Sequence, residues 1–535
     1  MSAYLDVAGT QVVIGQVTAV QGANVVGCLR GSEAGGPVVI GDLVAMPTPR
    51  GRSYGLVHAL RRGRRAGDDP AVEIQLLGEL VGGGDDGAAA PRFRRGVSAC
   101  PALDTPILRA QPTEAALVYA APPEAAHILA GSLKQAPDLP AHLLTDALLG
   151  RHFAVLGSTG SGKSCAVTVL LQAILQAHPY AHILLIDPHN EYGPAFGDRA
   201  LKLDPSNLEL PYWLLTFEEI AAILTSGSHE RAYAEAAILR EAILRAKQLH
   251  AGDAAGAAAH LTVDTPVPYR LSDLVRAIED AMGTLNKPEA AAAYRHLLAR
   301  IAAVRDDRRY GFMFQSLLLR DNLAPILGRL LRIPVAGRPV TLLDISGVPS
   351  EVVNVVVSVL CRLIFEFALW SGEAERSPPL LLVCEEAHRY VPGDGAAAFE
   401  PTRRAIDRIA KEGRKYGVAL GLVTQRPAEL SASSLSQCGT VLALRMSNER
   451  DLQFVRNVLP DGFEWLIREL PGLATGEAVV VGQAVRVPMQ IRFSELPEHE
   501  QPSSRSPSFR AAWANESEDT QLLASTVHRW RHQQR

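Results

Sequence analysis

The sequence has no paired cysteines, no basic-then-apolar opening, no long unbroken apolar run and no strong excess of one charge. Its six cysteines (28, 100, 165, 361, 384 and 438) are scattered without a Cys-x-x-Cys pair, so buried thiols in a reducing compartment are expected. The first residues, Met-Ser-Ala-Tyr-Leu-Asp, lack a basic segment followed by an apolar one. No secretory signal is therefore expected, and the cytoplasm is the expected compartment. The most apolar stretch, Val352 to Trp370, is broken by Asn354, Arg362 and Glu366, which a lipid-spanning helix does not readily tolerate. It reads as a buried helix, and no membrane contact is expected. A formal charge of -4 excludes a uniformly basic, nucleic-acid-coating surface, although a local basic channel can hide inside that sum. No internal repeat is evident.

What is present is ordinary globular composition, 47% hydrophobic and 21% charged, in a chain of 535 residues that is too long for one compact core. Five regions are expected. Residues 1–100 hold short Val/Ile-rich runs punctuated by glycine: Gln11 to Val20, Val25 to Leu29, Pro37 to Met46, Gly55 to Leu60 and Val72 to Leu80. These predict a small N-terminal β-barrel. A Gly/Asp/Ala-rich loop runs from Leu80 to Pro91, and the basic run Arg61 to Arg65 reads as a solvated hairpin tip or a nucleic-acid contact.

Residues 101–217 and 336–496 switch to strands alternating with helices, the α/β pattern of a parallel-rich sheet. Candidate strands are Phe153 to Leu156, His182 to Asp187, Val340 to Asp344, Leu380 to Glu385, Val418 to Gln425 and Thr440 to Leu444. Residues 218–335, Ala-rich with few strand signals, read as a helical insertion. Residues 497–535 form a polar tail.

After the apolar run Phe153 to Leu156 come Gly157, Ser158, Thr159, Gly160, Ser161, Gly162, Lys163 and Ser164, and then a helical pattern from Cys165. Strand, glycine-rich loop and helix in that order form a phosphate-binding loop. Glycine lets successive backbone N–H groups turn toward one point, and the helix start adds its dipole. Lys163 is placed to reach the outer phosphates of ATP, and Ser164 to ligate Mg²⁺. The bland alternative is a connecting loop rich in Gly and Ser.

A second motif, Leu380 to His388, is an apolar strand ending in Glu385 and Glu386 at the carboxyl end of the sheet, beside the phosphate loop. Glu385 is assigned to Mg²⁺ and Glu386 to the attacking water. An acidic strand end capping the next helix is the competing reading. Gln425, closing the apolar run Val418 to Gln425, is placed to sense the γ-phosphate or orient water. Arg414 is the first candidate for an arginine finger onto a neighbouring subunit's nucleotide, with Arg151 and Arg445 as rivals. Asp187 and Glu191 follow the second strand, where they organise the nucleotide site or cap the loop, and His189 between them reads as a hydrogen-bonding group that supports that site. No His/Cys/Asp cluster accompanies His189 at metal-ligand spacing.

These motifs, with Asp187-Pro188-His189-Asn190-Glu191-Tyr192, Arg308 to Phe314, Asp344 to Ser350, Thr424-Gln425-Arg426-Pro427 and Gly476-Glu477-Ala478, resemble the HerA-type hexameric DNA translocases, relatives of FtsK. The resemblance runs over nearly the whole chain. It implies a RecA-like P-loop NTPase core behind a HAS-type barrel, a homohexameric ring with ATP at subunit interfaces, and duplex DNA through the pore. It also implies a NurA-like nuclease partner on the barrel face, serving DNA-end processing or defence against phage.

Read from the residues alone, DNA contact rests on Arg404, Arg408 and Lys411 at helical spacing, with Arg403 adjacent. Asp407 and Glu412 in the same segment fit a solvated or intersubunit face equally well. No basic stretch is interleaved with aromatics, which favours backbone tracking on duplex DNA. The competing functions are an ATPase of a conjugation or secretion system and an ATP-assembled scaffold that activates a nuclease.

Overall fold

The computed structural model describes residues 12–29, 36–49, 51–62, 69–81, 91–225, 229–251, 260–283, 291–314, 320–372, 377–393, 399–457, 462–503, 509–514 and 520–532. Most of the basic run 61–65, most of the loop 80–91 and parts of the tail beyond 503 lie outside these residues.

The first sheet contains β1 (Val13–Gln21), β2 (Asn24–Leu29), β3 (Leu43–Thr48), β4 (Gly51–Arg61), β5 (Ala71–Val81), β6 (Arg92–Arg95) and β7 (Pro106–Arg109). Its order is β2-β1-β7-β3-β4-β5-β6, and a further β2–β5 pairing closes six strands into a barrel, with β6 appended. Closure removes the exposed edges that short Val/Ile-rich strands would otherwise present. The barrel interior is apolar, with Val17, Val25, Val57, Val72, Ile74 and Ile107 fully buried.

One correction concerns the barrel's end. β7 pairs with both β1 and β3, so the barrel extends to Arg109 rather than stopping at 100. A four-residue strand opened by Pro106 has too little alternation to register as a strand in sequence.

The second sheet contains β8 (His127–Leu133), β9 (Pro140–Leu144), β10 (Phe153–Leu156), β11 (His182–Asp187), β12 (Ala200–Leu203), β13 (Val340–Asp344), β14 (Leu380–Cys384), β15 (Val418–Thr424), β16 (Thr440–Leu444), β17 (Glu477–Gly482) and β18 (Met489–Phe493). The order is β12-β13-β11-β14-β15-β10-β16-β17-β18-β8-β9. The first seven in that order run parallel, and the last four add an antiparallel wing. All six strands read from the sequence are present to within one residue at either end.

Every residue of β10, β13, β14, β15 and β16 is buried, as expected for parallel strands covered on both faces. Alternate residues serve two different cores. Ala154 and Leu156 face the one built on helix Ser350–Trp370, while Phe153 and Val155 face the one built on helix Lys163–Ala177.

Helix Ser350–Trp370 is the one helix among the described residues that is long and apolar enough to cross a membrane, and most of it is buried inside the protein. Its Arg362 and Glu366 have partners. Arg362 donates to Glu219 Oε2 at 3.0 Å and to Glu366 Oε2 at 2.9 Å. Glu219 also caps helix Phe217–Leu224 together with Thr216. Between β12 and β13 the elements among the described residues are helices, including His229–Ala251, Leu271–Gly283 and Ala291–Asp306.

The barrel rests on this core. Phe93 lies under the Arg486 guanidinium, and Arg486 also donates to the carbonyls of Phe93 and of Ala120.

Candidate active site

The register of the parallel strands sets the site. Leu156 of β10 is level with Thr424 of β15, and Cys384 of β14 with Leu422, so Gly157, Gln425 and Glu386 all emerge at the carboxyl edge. With β15 interposed, the acidic strand stands two strand spacings, roughly 10 Å, from the loop-bearing strand. That gap is wide enough for a phosphoryl group and an attacking water.

The phosphate loop is held by distant residues. Ser158 donates from both N–H and Oγ to the Arg445 carbonyl, each at 2.9 Å. Gly476 N–H donates to Ser161 O at 3.0 Å. The Arg445 guanidinium and the Thr475 hydroxyl both donate to Gly160 O, at 3.3 and 3.4 Å. Gly162 caps the helix Lys163–Ala177 with φ 96°, and a Cβ there would stand 3.0 Å from Gly476 N. Glycine alone satisfies both demands cheaply. The loop therefore sits ready-shaped at the start of a 15-residue helix.

Lys163 is buried and its Nζ donates to Ser158 O at 3.2 Å. Burial pushes this ammonium below its usual range, and Glu385, Glu386 and Glu191 oppose that shift. Ser164 Oγ donates to Glu191 Oε2 at 3.0 Å. Glu385 is buried, accepts a 2.7 Å hydrogen bond from the Tyr192 hydroxyl, and is pushed up to about 8 chiefly by burial, with Glu386 and Glu191 adding to the rise. Glu386 has φ 53°, and its Oε1 and Oε2 lie 3.8 Å from His189 Nε2 and 3.2 Å from His388 Nδ1. Gln425 Oε1 accepts from the Thr159 hydroxyl, bridging the β15 end to the loop tip.

Three carboxyl groups face one lysine, and a dication in the gap would favour the charged form of Glu385 that burial opposes. Ser161 Oγ and Glu386 Oε2 are buried without hydrogen-bond partners. Orphaned polar atoms beside a phosphate loop fit Mg²⁺–nucleotide in the gap, with Ser164 and Glu385 placed to hold the metal. Among the described residues no cluster of three or more His, Cys, Asp or Glu is arranged to bind a metal alone. Mg²⁺ needs none, because substrate phosphates and water complete its shell.

Several expected site residues fall elsewhere. Asp187 accepts backbone N–H bonds from His189, Glu191 and Tyr192 at 3.1–3.2 Å, so it shapes the loop rather than facing a nucleotide. Cys165 is exposed, as is Cys100, and neither is a buried thiol; Cys361, Cys384 and Cys438 are buried. Arg445 is tied to its own loop. Arg414 and Arg151 are exposed at the opposite, amino edge of the sheet. The three arginines of the expected basic stripe are engaged within the chain: Arg404 pairs with Glu218 at 2.7 Å and with Glu400, Arg403 pairs with Glu400, and Arg408 lies over the Phe365 ring, while Lys411 is exposed.

Tyr192 and Thr475 were not singled out by sequence. Tyr192 lies inside the Asp187 to Tyr192 string and was within reach; Thr475 carries no local signal.

A phosphate loop separated from an acidic strand by one glutamine-ended strand is the arrangement of RecA-like P-loop ATPases, and this chain is one of them. Residues 128–364 match the family described as the central domain of helicase HerA. Over that stretch the chain is similar to the HerA-type P-loop ATPases. It is 27% identical over 408 residues to the DNA double-strand break repair helicase HerA of Pyrococcus furiosus, covering 68% of this chain and 70% of that one. It is 26% identical over 392 residues to a probable HerA of Methanocaldococcus jannaschii, covering 68% and 76%. Among solved structures, VirB4 of Thermoanaerobacter pseudethanolicus matches with a TM-score of 0.46 and 16% identity, over 70% of this chain and 98% of that one, too distant a likeness to carry an argument.

Proposed function

We propose that this chain is an ATP- and Mg²⁺-dependent DNA translocase and helicase. It works in the cytoplasm as a homohexameric ring moving along duplex DNA, with a nuclease docked on the barrel face in DNA-end processing or defence. The observation that carries the reading is the meeting of Lys163, Ser164, Glu385 and Glu386 at one edge of the sheet, while Arg414 is exposed at the other. The named activity of the HerA relatives supports the DNA substrate.

In this reading the loop amides of 157–164 and Lys163 bind and neutralise the phosphates, and Ser164 and Glu385 hold Mg²⁺, with Glu191 behind Ser164. When bound, the metal supplies charge neutralisation and alignment of the phosphates. Glu386 accepts the proton of the attacking water, and Gln425 orients that water from the end of β15. Hydrolysis yields ADP and phosphate. Arg414, facing a neighbour, stabilises charge that develops on the neighbour's nucleotide. The division at 1–100, 101–217, 218–335, 336–496 and 497–535, with the barrel extended to Arg109, is the proposed domain plan.

Steady-state ATPase measured with and without duplex DNA, alongside strand displacement, tests the motor. Turnover that DNA leaves unchanged, with no displacement, would instead mark a ring that assembles on ATP to activate a partner.

A further inference from the structure

The nitrogen Nδ1 of His388 lies between two claimants. It is 2.9 Å from Thr424 Oγ1 and 3.2 Å from Glu386 Oε2. Thr424 Oγ1 already accepts the Arg426 N–H at 3.0 Å, which leaves its own proton free to point at the imidazole. One ring nitrogen either accepts that proton or donates its own to Glu386; it cannot do both at once. In the geometry observed, Glu386 Oε2 is buried and accepts no hydrogen bond.

Two further features make this junction more than packing. Glu386 has a left-handed backbone, φ 53°, a strained conformation that persists only where its surroundings hold it. Thr424 directly precedes Gln425, whose Oε1 accepts from Thr159 of the phosphate loop. The side chain that feels the loop tip and the hydroxyl that reaches His388 therefore sit on consecutive residues of one strand end.

We propose that His388 is a positioning residue that couples the carboxylate of Glu386 to the Thr424–Gln425 end of β15, so that Glu386 is aimed at water only when that strand end is engaged by nucleotide. The proposal rests on the assignment of Glu386 to the attacking water. His388 acts through the orientation of a neighbour's oxygen.

The test is steady-state ATPase with nucleotide affinity measured in parallel on the full chain. His388→Ala should lower kcat by about 10- to 100-fold, the cost of a misaimed catalytic group, with nucleotide affinity held within about threefold. His388→Asn puts an amide group near the position of Nδ1 and should recover most of the loss, while His388→Gln, reaching toward Nε2, should not. Thr424→Val keeps the side-chain shape and removes the hydroxyl. It should give the same kcat-only defect, and the double variant should be no worse than His388→Ala.

A wild-type kcat in either His388→Ala or Thr424→Val overturns the coupling, as does equal rescue by Asn and Gln. Glu386→Gln is measured beside them. If it turns over normally, the assignment of Glu386 fails; if it is dead while His388→Ala is normal, only the coupling fails.

Discussion

If Arg414 serves a neighbour's nucleotide, two dead variants should revive each other. Arg414 precedes β15, whose seven residues run from Val418 to Thr424 toward the phosphate loop. At about 3.3 Å per residue the strand alone separates the two by more than 20 Å, too far for an arginine side chain to reach its own phosphates. Arg414→Ala subunits therefore keep a sound loop and lack a finger, and Lys163→Ala subunits the reverse. Each homogeneous sample should lose at least ~100-fold in turnover, leaving the sum of the two at roughly 2% of wild type. In rings mixed at random from equal amounts, about one interface in four joins a sound loop to a sound finger, so independent sites give ~25% of wild-type turnover. The assay is steady-state ATPase after mixing, with subunit exchange confirmed by a fluorescence-transfer signal between labelled copies. A mixture no more active than the sum of its parts, despite exchange, would refute the reasoning and pass the role to Arg151, the rival candidate that also lies at the amino edge.

Other outcomes follow from the same geometry. Glu386→Gln should bind ATP normally and stall hydrolysis; if Glu385→Gln behaves that way and Glu386→Gln is near normal, the two roles are reversed. Gly162→Ala combines a left-handed φ that costs about 1–2 kcal/mol with a Cβ 3.0 Å from Gly476 N, so binding of a fluorescent nucleotide should be lost while the fold survives by circular dichroism. Arg445→Ala should loosen the loop and raise the ATP KM several-fold with a smaller effect on kcat; a kcat-only defect would argue against a loop-holding role. Lys247, fully buried against the carbonyls of Val263 and Thr265, is pushed down to about 8 by burial. Its folded pKa lies below the free value, so the unfolded chain holds more protons above pH 8, and stability should rise with pH from about 8 to about 10. The Tm difference between wild type and Lys247→Met should grow across that window; a flat difference would remove the assignment.

The sequence made the central strands legible because strands buried on both faces are unbroken apolar runs, and β14 and β15 each end in polar residues that mark where the run stops. The antiparallel wing was harder to see. In β8, exposed His127 and Leu129 alternate with buried Ile128 and Ala130, a pattern spread over few residues, and β12 is only four residues long. Lys163, Ser164 and the acidic pair were found because each chemistry-bearing group lies in a short contiguous string. The groups that fix the loop were not, because Arg445 and Thr475 reach Gly160 across 285 and 315 residues of chain. Such contacts depend on which strands become neighbours, and no local spacing encodes that. Asp187 shows the converse limit: its position in a telling string was plain, but that its oxygens are taken by three backbone amides depends on the turn that follows it.

The long helical segment leaves the sheet after β12, the edge strand, and returns as β13, the next one in. Since β12 and β13 are each other's neighbours, the segment begins and ends at one margin, three strands and more from β10. Lengthening or trimming it changes a loop closure whose cost grows only slowly, by about 0.6 kcal/mol per doubling. It shifts none of the β14, β15 and β10 register on which the acidic pair and the phosphate loop depend. Through Glu219 and Arg362 it rests on the back of helix Ser350–Trp370 rather than on the catalytic edge. Related chains can thus differ widely in this segment and still hydrolyse nucleotide by the same geometry, and a foreign domain grafted between Thr225 and Ala291 should leave turnover intact.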